Sequence, residues 1–299
     1  AEALRVDSAF APAYYELAVE RIDKAPAEAA ELALRAHRID TANLWYHSLY
    51  GQALVYSGQY GRALGVFRDL RQADPKNPDN YRILAALYEL SHQPFAAIAT
   101  LDSAEMRFGR IPVLSNMKRQ LLLSTHQTDK AVAEARAMVD AAPYDAANRV
   151  VLAGLYARTG KDSLALAEYG KALEADSTSL ATLAALSDYY NDRRDFRSML
   201  AVTKRMFALD AMPLESKVAR FGQFTSDTRF YREFYIQLND LASMLAIRYP
   251  RDKQAVELYA RHLIASGQLQ QALELYNLHT HDTPPEEDYF TSVIDIETY

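Results

Sequence analysis

The sequence predicts an all-α fold, a solenoid of stacked antiparallel helix pairs with a period of 34 residues. Three observations lead to this prediction. Side chains of similar size recur every 34 positions, apolar residues within each unit recur at helical spacing in two bursts, and turn-forming residues separate the bursts. With 49% hydrophobic and 24% charged residues, the 299-residue chain has the composition of an ordinary globular protein.

The recurrence is visible in columns of residues spaced by 34 positions. Two antiparallel helices approach closely only where side chains are small, and large side chains fill the space between pairs, so the columns predict a continuous core. In chain order, three of the columns are Leu54, Tyr88, Leu122, Tyr156, Tyr190; then Ala63, Ala97, Ala131, Ala165, Met199; and then Gly51, Ala85, Arg119, Ala153, Ser187.

A glycine-rich stretch between Gly51 and Gly65 raises the question of a phosphate-binding loop. No strand pattern precedes it, and it has neither the GxGxxG nor the GxxxxGK[ST] spacing that cradles phosphates. The column positions instead predict that Gly51 allows close packing and that Gly58 forms the turn of its unit.

The order of residues resembles the tetratricopeptide repeat, a helix–turn–helix unit of 34 residues. One unit carries the resemblance through His47, Tyr50, Gly51, Leu54, Gly58, Ala63, Phe67, Leu70 and Pro75. The usual tryptophan of the pattern is absent, since Trp45 lies two places early, and Lys118 and Arg119 interrupt one first helix. The resemblance implies a right-handed α-solenoid whose first helices line a concave groove for a protein segment.

The period predicts one solenoid over residues 1–299. Residues 1–9 are expected to end a preceding helix, and residues 287–299 to form the first helix of a truncated further unit or a cap. The predicted units are 10–43, 44–77, 78–111, 112–145, 146–179, 180–213, an irregular unit 214–252, and 253–286.

The irregular unit carries five extra residues, which the count places near Pro213–Asp227. The aromatic segment 221–235 follows, and two interpretations stay open for it. Its rings fill the seam where the stacking changes, or they form an exposed patch that docks a partner.

Composition and motifs exclude several classes of site. A net charge of −6 argues against a nucleic-acid surface, and the absence of cysteine excludes thiolate chemistry. His279 and His281 lie two residues apart, so on a helix their side chains face different sides, and we expect no metal to bind there. We expect no catalytic group, no cofactor and no membrane span, while a lipid anchor outside this sequence stays compatible with it.

The resemblance implies that the partner-binding positions lie along the first helices. At these positions the resemblance implies a groove of mixed charge that binds a protein or peptide ligand. The Lys/Asn/Arg set that clamps a C-terminal carboxylate in chaperone-type members of the family is missing. The candidate residues are Trp45, Ser48, Gln52, Tyr56, Arg82, Asn116, Gln120, Asp188 and Arg261.

We therefore predict a non-enzymatic protein-interaction scaffold of unknown oligomeric state. The alternatives are an accessory factor of an envelope polysaccharide or peptidoglycan system and an RNA-reading helical repeat, whose groove should be basic. The lack of cysteine and the style of the turns resemble bacterial periplasmic or outer-membrane-associated members of the family. A cytoplasmic location is the alternative.

Overall fold

The computed structural model describes residues 9–282, and these residues form seventeen α-helices and no strand. The helices are α1 (Ala11–Arg21), α2 (Pro26–Ile39), α3 (Leu44–Tyr56), α4 (Tyr60–Ala73), α5 (Pro78–Leu90), α6 (Pro94–Phe108), α7 (Pro112–Ser124), α8 (Thr128–Ala141), α9 (Ala146–Arg158), α10 (Asp162–Ala175), α11 (Leu180–Asp192), α12 (Phe196–Phe207), α13 (Leu214–Ser226), α14 (Thr228–Glu233), α15 (Tyr235–Arg248), α16 (Lys253–Ala265) and α17 (Leu269–Asp282).

The helices belong to two compact units, Ala1–Ala141 and Ala142–Tyr299. The first unit holds α1–α8 and the second holds α9–α17. In both, helices joined by three-residue turns pack along each other, as α3 does with α4 and α9 with α10. Such short turns force the paired helices to run antiparallel, so the all-α fold of stacked helix pairs is confirmed within each unit.

Helix starts follow the predicted period. Second helices begin at Tyr60, Pro94, Thr128, Asp162 and Phe196, each 34 residues after the last. That residues 1–299 form one array stays a prediction. The expected tail at 1–9, apart from its last residue, and the expected helix at 287–299 lie outside the described residues.

The small column forms the contact between paired helices. Ala63, Ala97, Ala131 and Ala165 are all fully buried. At Gly51 the approach is closer still, because a Cβ there would lie 2.8 Å from Cε2 of the buried Phe67. The predicted packing role of Gly51 is therefore confirmed.

The turns inside the hairpins share one backbone conformation. A residue with positive φ recurs every 34 positions, as Gly58, His92, His126, Gly160 and Arg194. In the first of these turns, the amide of Gln59 donates to the carbonyl of Leu54, and that of Gly58 to Val55. This pattern closes the end of a helix through a left-handed residue, the conformation that glycine adopts with least strain.

Substituting alanine at two neighbouring glycines should change stability in opposite directions. Gly58→Ala should lower the free energy of unfolding by about 1 kcal/mol, because φ is 74° there. Gly65→Ala should raise it by about 0.5–1 kcal/mol, because Gly65 lies inside α4 with no atom near its absent side chain. Thermal denaturation of both variants checks the signs, and equal signs would contradict the turn assignment.

The five extra residues lie later than the sequence count placed them. Helix α13 begins at Leu214, still in register with α11, whereas α15 begins at Tyr235 instead of the expected position 230. The short helix α14 (Thr228–Glu233) occupies the lengthened turn, and Asp227 caps it by accepting from the amides of Arg229 and Phe230. The position predicted near Pro213–Asp227 was therefore wrong: the insertion separates the first helix of this unit from its second.

The aromatic segment 221–235 packs inward. Phe221, Phe224 and Phe234 are buried. The Phe230 ring lies 4.8 Å from that of Phe234 and 5.2 Å from that of Phe196 on α12. Of the two interpretations left open by the sequence, the structure supports the one in which these rings fill the core around the irregular turn.

The interruption at Lys118 and Arg119 is compensated by charge pairing. Lys118 Nζ lies 2.8 Å from Asp102, 2.6 Å from Glu105 and 3.1 Å from Glu134. Burial lowers the pKa of Lys118, but hydrogen bonds to these three carboxylates outweigh burial and raise the pKa above its ordinary value. The cation thus replaces apolar packing between α6, α7 and α8.

Candidate functional site

In the first unit, the predicted groove face of α3 carries two exposed aromatic side chains. Trp45 is 77% exposed and Tyr56 is 61% exposed, at opposite ends of the helix. Between them, Gln52 donates a hydrogen bond of 3.2 Å to the Ser48 hydroxyl. The opposite side of α3, with Ala53 and Leu54, is fully buried. The helix therefore presents a face of two large rings around a polar centre.

The polar candidates on α5 and α7 are exposed and partly engaged within their own helices. Arg82 forms an ion pair of 2.9 Å with Asp79, and Asn116 accepts a hydrogen bond of 2.8 Å from Arg119. Gln120 is exposed on the same helix as Asn116. An anion would have to compete with Asp79 for Arg82, so these residues form a neutral polar surface more readily than an anion clamp.

In the second unit, the predicted positions line two cavities between first helices. Asp188 lines a cavity of about 400 Å³ between α11 and α13, where the buried Ser187 hydroxyl has no hydrogen-bond partner. Arg261 lines a cavity of about 440 Å³ between α13 and α16 and lies 3.2 Å from Glu257.

Six hairpins, the five from α3–α4 to α11–α12 and the last one, α16–α17, each have one turn residue with positive φ and exposed polar positions on the first helix. The second helices of the first five begin at a period of 34 residues and bury a mostly small column. This is the architecture of tetratricopeptide repeats. No family model matches the sequence, and no curated protein is similar to it.

Several solved structures resemble parts of this chain. One is YrrB, described as a tetratricopeptide-repeat protein with an unusual peptide-binding site, at 19% identity and a TM-score of 0.46 over 62% of this chain and 95% of its own. A MamA fragment from Desulfovibrio magneticus RS-1 is 18% identical, with a TM-score of 0.46 over 56% of this chain and 96% of its own. PilF of Pseudomonas aeruginosa is 14% identical, with a TM-score of 0.45 over 72% and 97%. Identities and TM-scores this low do not indicate what this chain binds.

His262, on α16, is a site residue that the sequence reasoning missed. It is 3% exposed, and its Nδ1 lies 2.8 Å from the Tyr231 hydroxyl. The ring stacks on Tyr235 at 4.5 Å and meets the edge of Phe221. Burial lowers the pKa of His262 to about 4, so the imidazole is neutral at pH 7. Its Nε2 is buried without a hydrogen-bond partner.

A sequence signal for this site exists in the column that begins at Gly51 and runs to Ser187. Extending that column by 34 residues from Ser187 gives Phe221, a large ring where the earlier repeats have mostly small residues. Small side chains let neighbouring helices close up, and a phenyl ring holds them apart. The cavity between α13 and α16 lies beside this ring.

Among residues 9–278, whose side chains the structure describes, no three metal-ligating side chains converge on one point. His279 and His281 fall within α17, so their backbone is helical. Over residues 9–282, every helix falls short of the length and apolar character that a bilayer crossing requires.

Proposed function

We propose that the chain is a non-enzymatic scaffold that holds a segment of a partner protein in a groove lined by the exposed faces of its first helices. The observation that carries this proposal is the pair of exposed rings, Trp45 and Tyr56, on one face of α3. Trp and Tyr offer large rigid contact areas at a small entropic cost, and they dominate the binding energy of protein interfaces.

The polar positions support the same function. Ser48, Gln52, Asn116 and Gln120 offer donors and acceptors that suit the backbone of an extended segment, and the Asp79–Arg82 pair adds no net charge. A neutral, hydrogen-bonding face with aromatic ends favours a peptide over a nucleic acid, which requires a cationic surface. We place the scaffold in a bacterial envelope, a proposal that the absence of cysteine supports.

Selection from a random peptide library displayed on phage tests this function for a partner segment of any sequence. Selected peptides should bind the chain with a Kd of about 1 μM. Replacing both Trp45 and Tyr56 by alanine should weaken binding by about 2 kcal/mol, roughly 30-fold, because both hot-spot candidates are lost. Fluorescence anisotropy of labelled peptides gives both values.

Phe95→Ala is the matched control, because Phe95 is 67% exposed but lies on α6, a second helix of the same unit. It should leave the affinity unchanged. Peptides that bind the Trp45/Tyr56 double variant as tightly as the wild-type chain would show that the face of α3 is not the binding surface.

A further inference from the structure

The second unit contains a cavity that the scaffold function does not require. It lies between α13 and α16 and has a volume of about 440 Å³. Val218, Phe221, Leu258 and Ala265 give it apolar walls. A space of this size with mostly apolar walls and a few polar groups is typical of sites that bind a small molecule or one large side chain.

Charges at the cavity cancel each other. Glu257 and Arg261 lie on neighbouring turns of α16 and form an ion pair. The other polar lining groups, Thr225, Tyr231, Gln254 and His262, are neutral at pH 7. The local charge therefore favours neither an anion nor a cation, and the occupant that fits is a neutral group.

His262 brings a buried nitrogen without a hydrogen-bond partner to this cavity. Its side chain lines the space and is almost fully buried, Tyr231 occupies Nδ1, and Nε2 has no partner. A buried polar atom without a partner is unfavourable, and a ligand that satisfies it recovers that free energy. If the Tyr231 hydroxyl donates to Nδ1, Nε2 carries a proton and needs an acceptor; in the other tautomer Nε2 needs a donor.

A hydroxyl group meets both needs, because it donates and accepts. An aromatic ring fits the apolar walls, to which the rings of Phe221 and Tyr231 contribute. We propose that the cavity between α13 and α16 is a pocket for a phenol group, the side chain of a tyrosine in the partner segment. The assignment to a partner's tyrosine rests on the proposed function, whereas phenol binding itself does not.

Titration of the chain with p-cresol and toluene, followed by ¹H–¹⁵N NMR, tests the pocket directly. p-Cresol reproduces the tyrosine side chain and should bind with a Kd of about 1 mM, shifting amide signals of α13 and α16. Toluene lacks only the hydroxyl and should bind roughly three- to tenfold more weakly, the effect of one hydrogen bond. Equal affinities for the two probes, or no shifts at α13 and α16, would overturn the proposal.

Gly222 provides a blocking variant. It lines the cavity from α13, and no atom lies within 4 Å of the position where its Cβ would stand, so Gly222→Leu fills space without a clash at the backbone. This substitution should abolish p-cresol binding. Gly170→Leu is the control, since Gly170 lies in α10, away from the cavity, and has equally open surroundings. Binding that survives Gly222→Leu, or that is lost equally in both variants, would contradict the assignment.

Replacing His262 by leucine tests the hydroxyl contact and should remove the preference for p-cresol over toluene. If this variant does not fold, the two glycine variants still test whether p-cresol binds in the cavity. The outcome is separable from the scaffold function. Peptides that depend on Trp45 and Tyr56, together with a chain that does not bind p-cresol, would overturn the pocket alone. If p-cresol binds but no peptide is selected, the phenol pocket is supported and the scaffold function is overturned.

Discussion

Replacing Lys118 by methionine is expected to lower the free energy of unfolding of the first unit by about 3 kcal/mol. Removing one partner of a buried ion pair leaves the other charges without compensation, and such losses typically amount to about 3–5 kcal/mol. The lower value applies because Asp102 is half exposed, so water partly screens its charge, and because Arg110 still pairs with Glu105 at 2.8 Å. Chemical denaturation followed by circular dichroism measures the difference at pH 7.

Removing a carboxylate should reduce this deficit. In the methionine variant, Asp102, Glu105 and Glu134 lie close together without the lysine that they share, while Arg110 still pairs with Glu105 and Glu134. A second variant, Lys118→Met with Glu134→Leu, removes the most buried carboxylate and should recover most of the loss. A deficit that is as large in this double variant as in Lys118→Met would show that lost packing, not charge, causes it.

Lys171→Met is the control for a lysine that pairs at the surface. Lys171 is about half exposed, and its partner Glu168 keeps an ion pair of 2.7 Å with Arg149 when Lys171 is removed. Exposed ion pairs contribute about 0–1 kcal/mol, so the change should stay below about 1 kcal/mol. A comparable loss in both variants would mean that the buried position of Lys118 has no special role.

The repeats made much of the fold predictable, because each unit copies the packing of the last. Ala63 and Ala165 could be recognised as contact residues from their columns alone, and both are fully buried. The ion pairs of Lys118 could not be predicted from the columns in the same way. Glu105 and Glu134 lie on neighbouring helices, so their approach to Lys118 follows from tertiary packing that no local pattern encodes.

The sequence predicted that one unit contains extra residues, but it did not predict where in that unit they lie. Counting residues between Tyr190 and Leu263 reveals five extra residues, yet the period cannot say where within the unit they fall. The local capping signal was present: Asp227 precedes α14 and accepts from two of its amides. An aspartate beside aromatic residues is a weak signal when no glycine or proline marks the break, so the inserted helix went unrecognised.

The candidate site was only partly predictable. The resemblance to the repeat family gave Trp45 and Tyr56 as positions beside the groove, and both are well exposed. The pairing of Arg82 with Asp79, three residues earlier on the same helix, could have been anticipated from the spacing. The environment of His262 could not, because its neighbours Tyr231 and Tyr235 reach it only through the inserted helix and the turn that follows.

The second large effect is expected from acid acting on His262. Burial lowers the pKa of His262 to about 4 in the folded chain, against about 6.5 in an unfolded one. Between these values the unfolded chain takes up a proton that the folded chain does not, so stability is retained above pH 6.5 and falls as the pH drops towards 4. At about 1.4 kcal/mol per pKa unit, the full loss is about 3 kcal/mol.

His262→Gln isolates this contribution, because glutamine keeps hydrogen-bonding capacity without titrating in this range. Repeat arrays unfold locally, so amide hydrogen exchange in α16 is a better measure than a global transition. Between pH 7 and pH 4.5, α16 of the wild-type chain should lose about 2–3 kcal/mol more protection than α16 of the variant, after correction for intrinsic exchange rates. The comparison cancels carboxylates such as Asp210, whose pKa is lowered by the hydrogen bond from Arg248 and which destabilises both chains as it is protonated.

The first unit provides an internal reference for this experiment. Burial also lowers the pKa values of His37 and His47, whose rings stack at 4.1 Å between α2 and α3. Acid should therefore reduce protection in α3 equally in the wild-type chain and in the His262→Gln variant. If the variant loses as much protection in α16 as the wild-type chain does, burial does not lower the pKa of His262 in the folded state. The buried surroundings of His262 that the phenol pocket requires would then be contradicted.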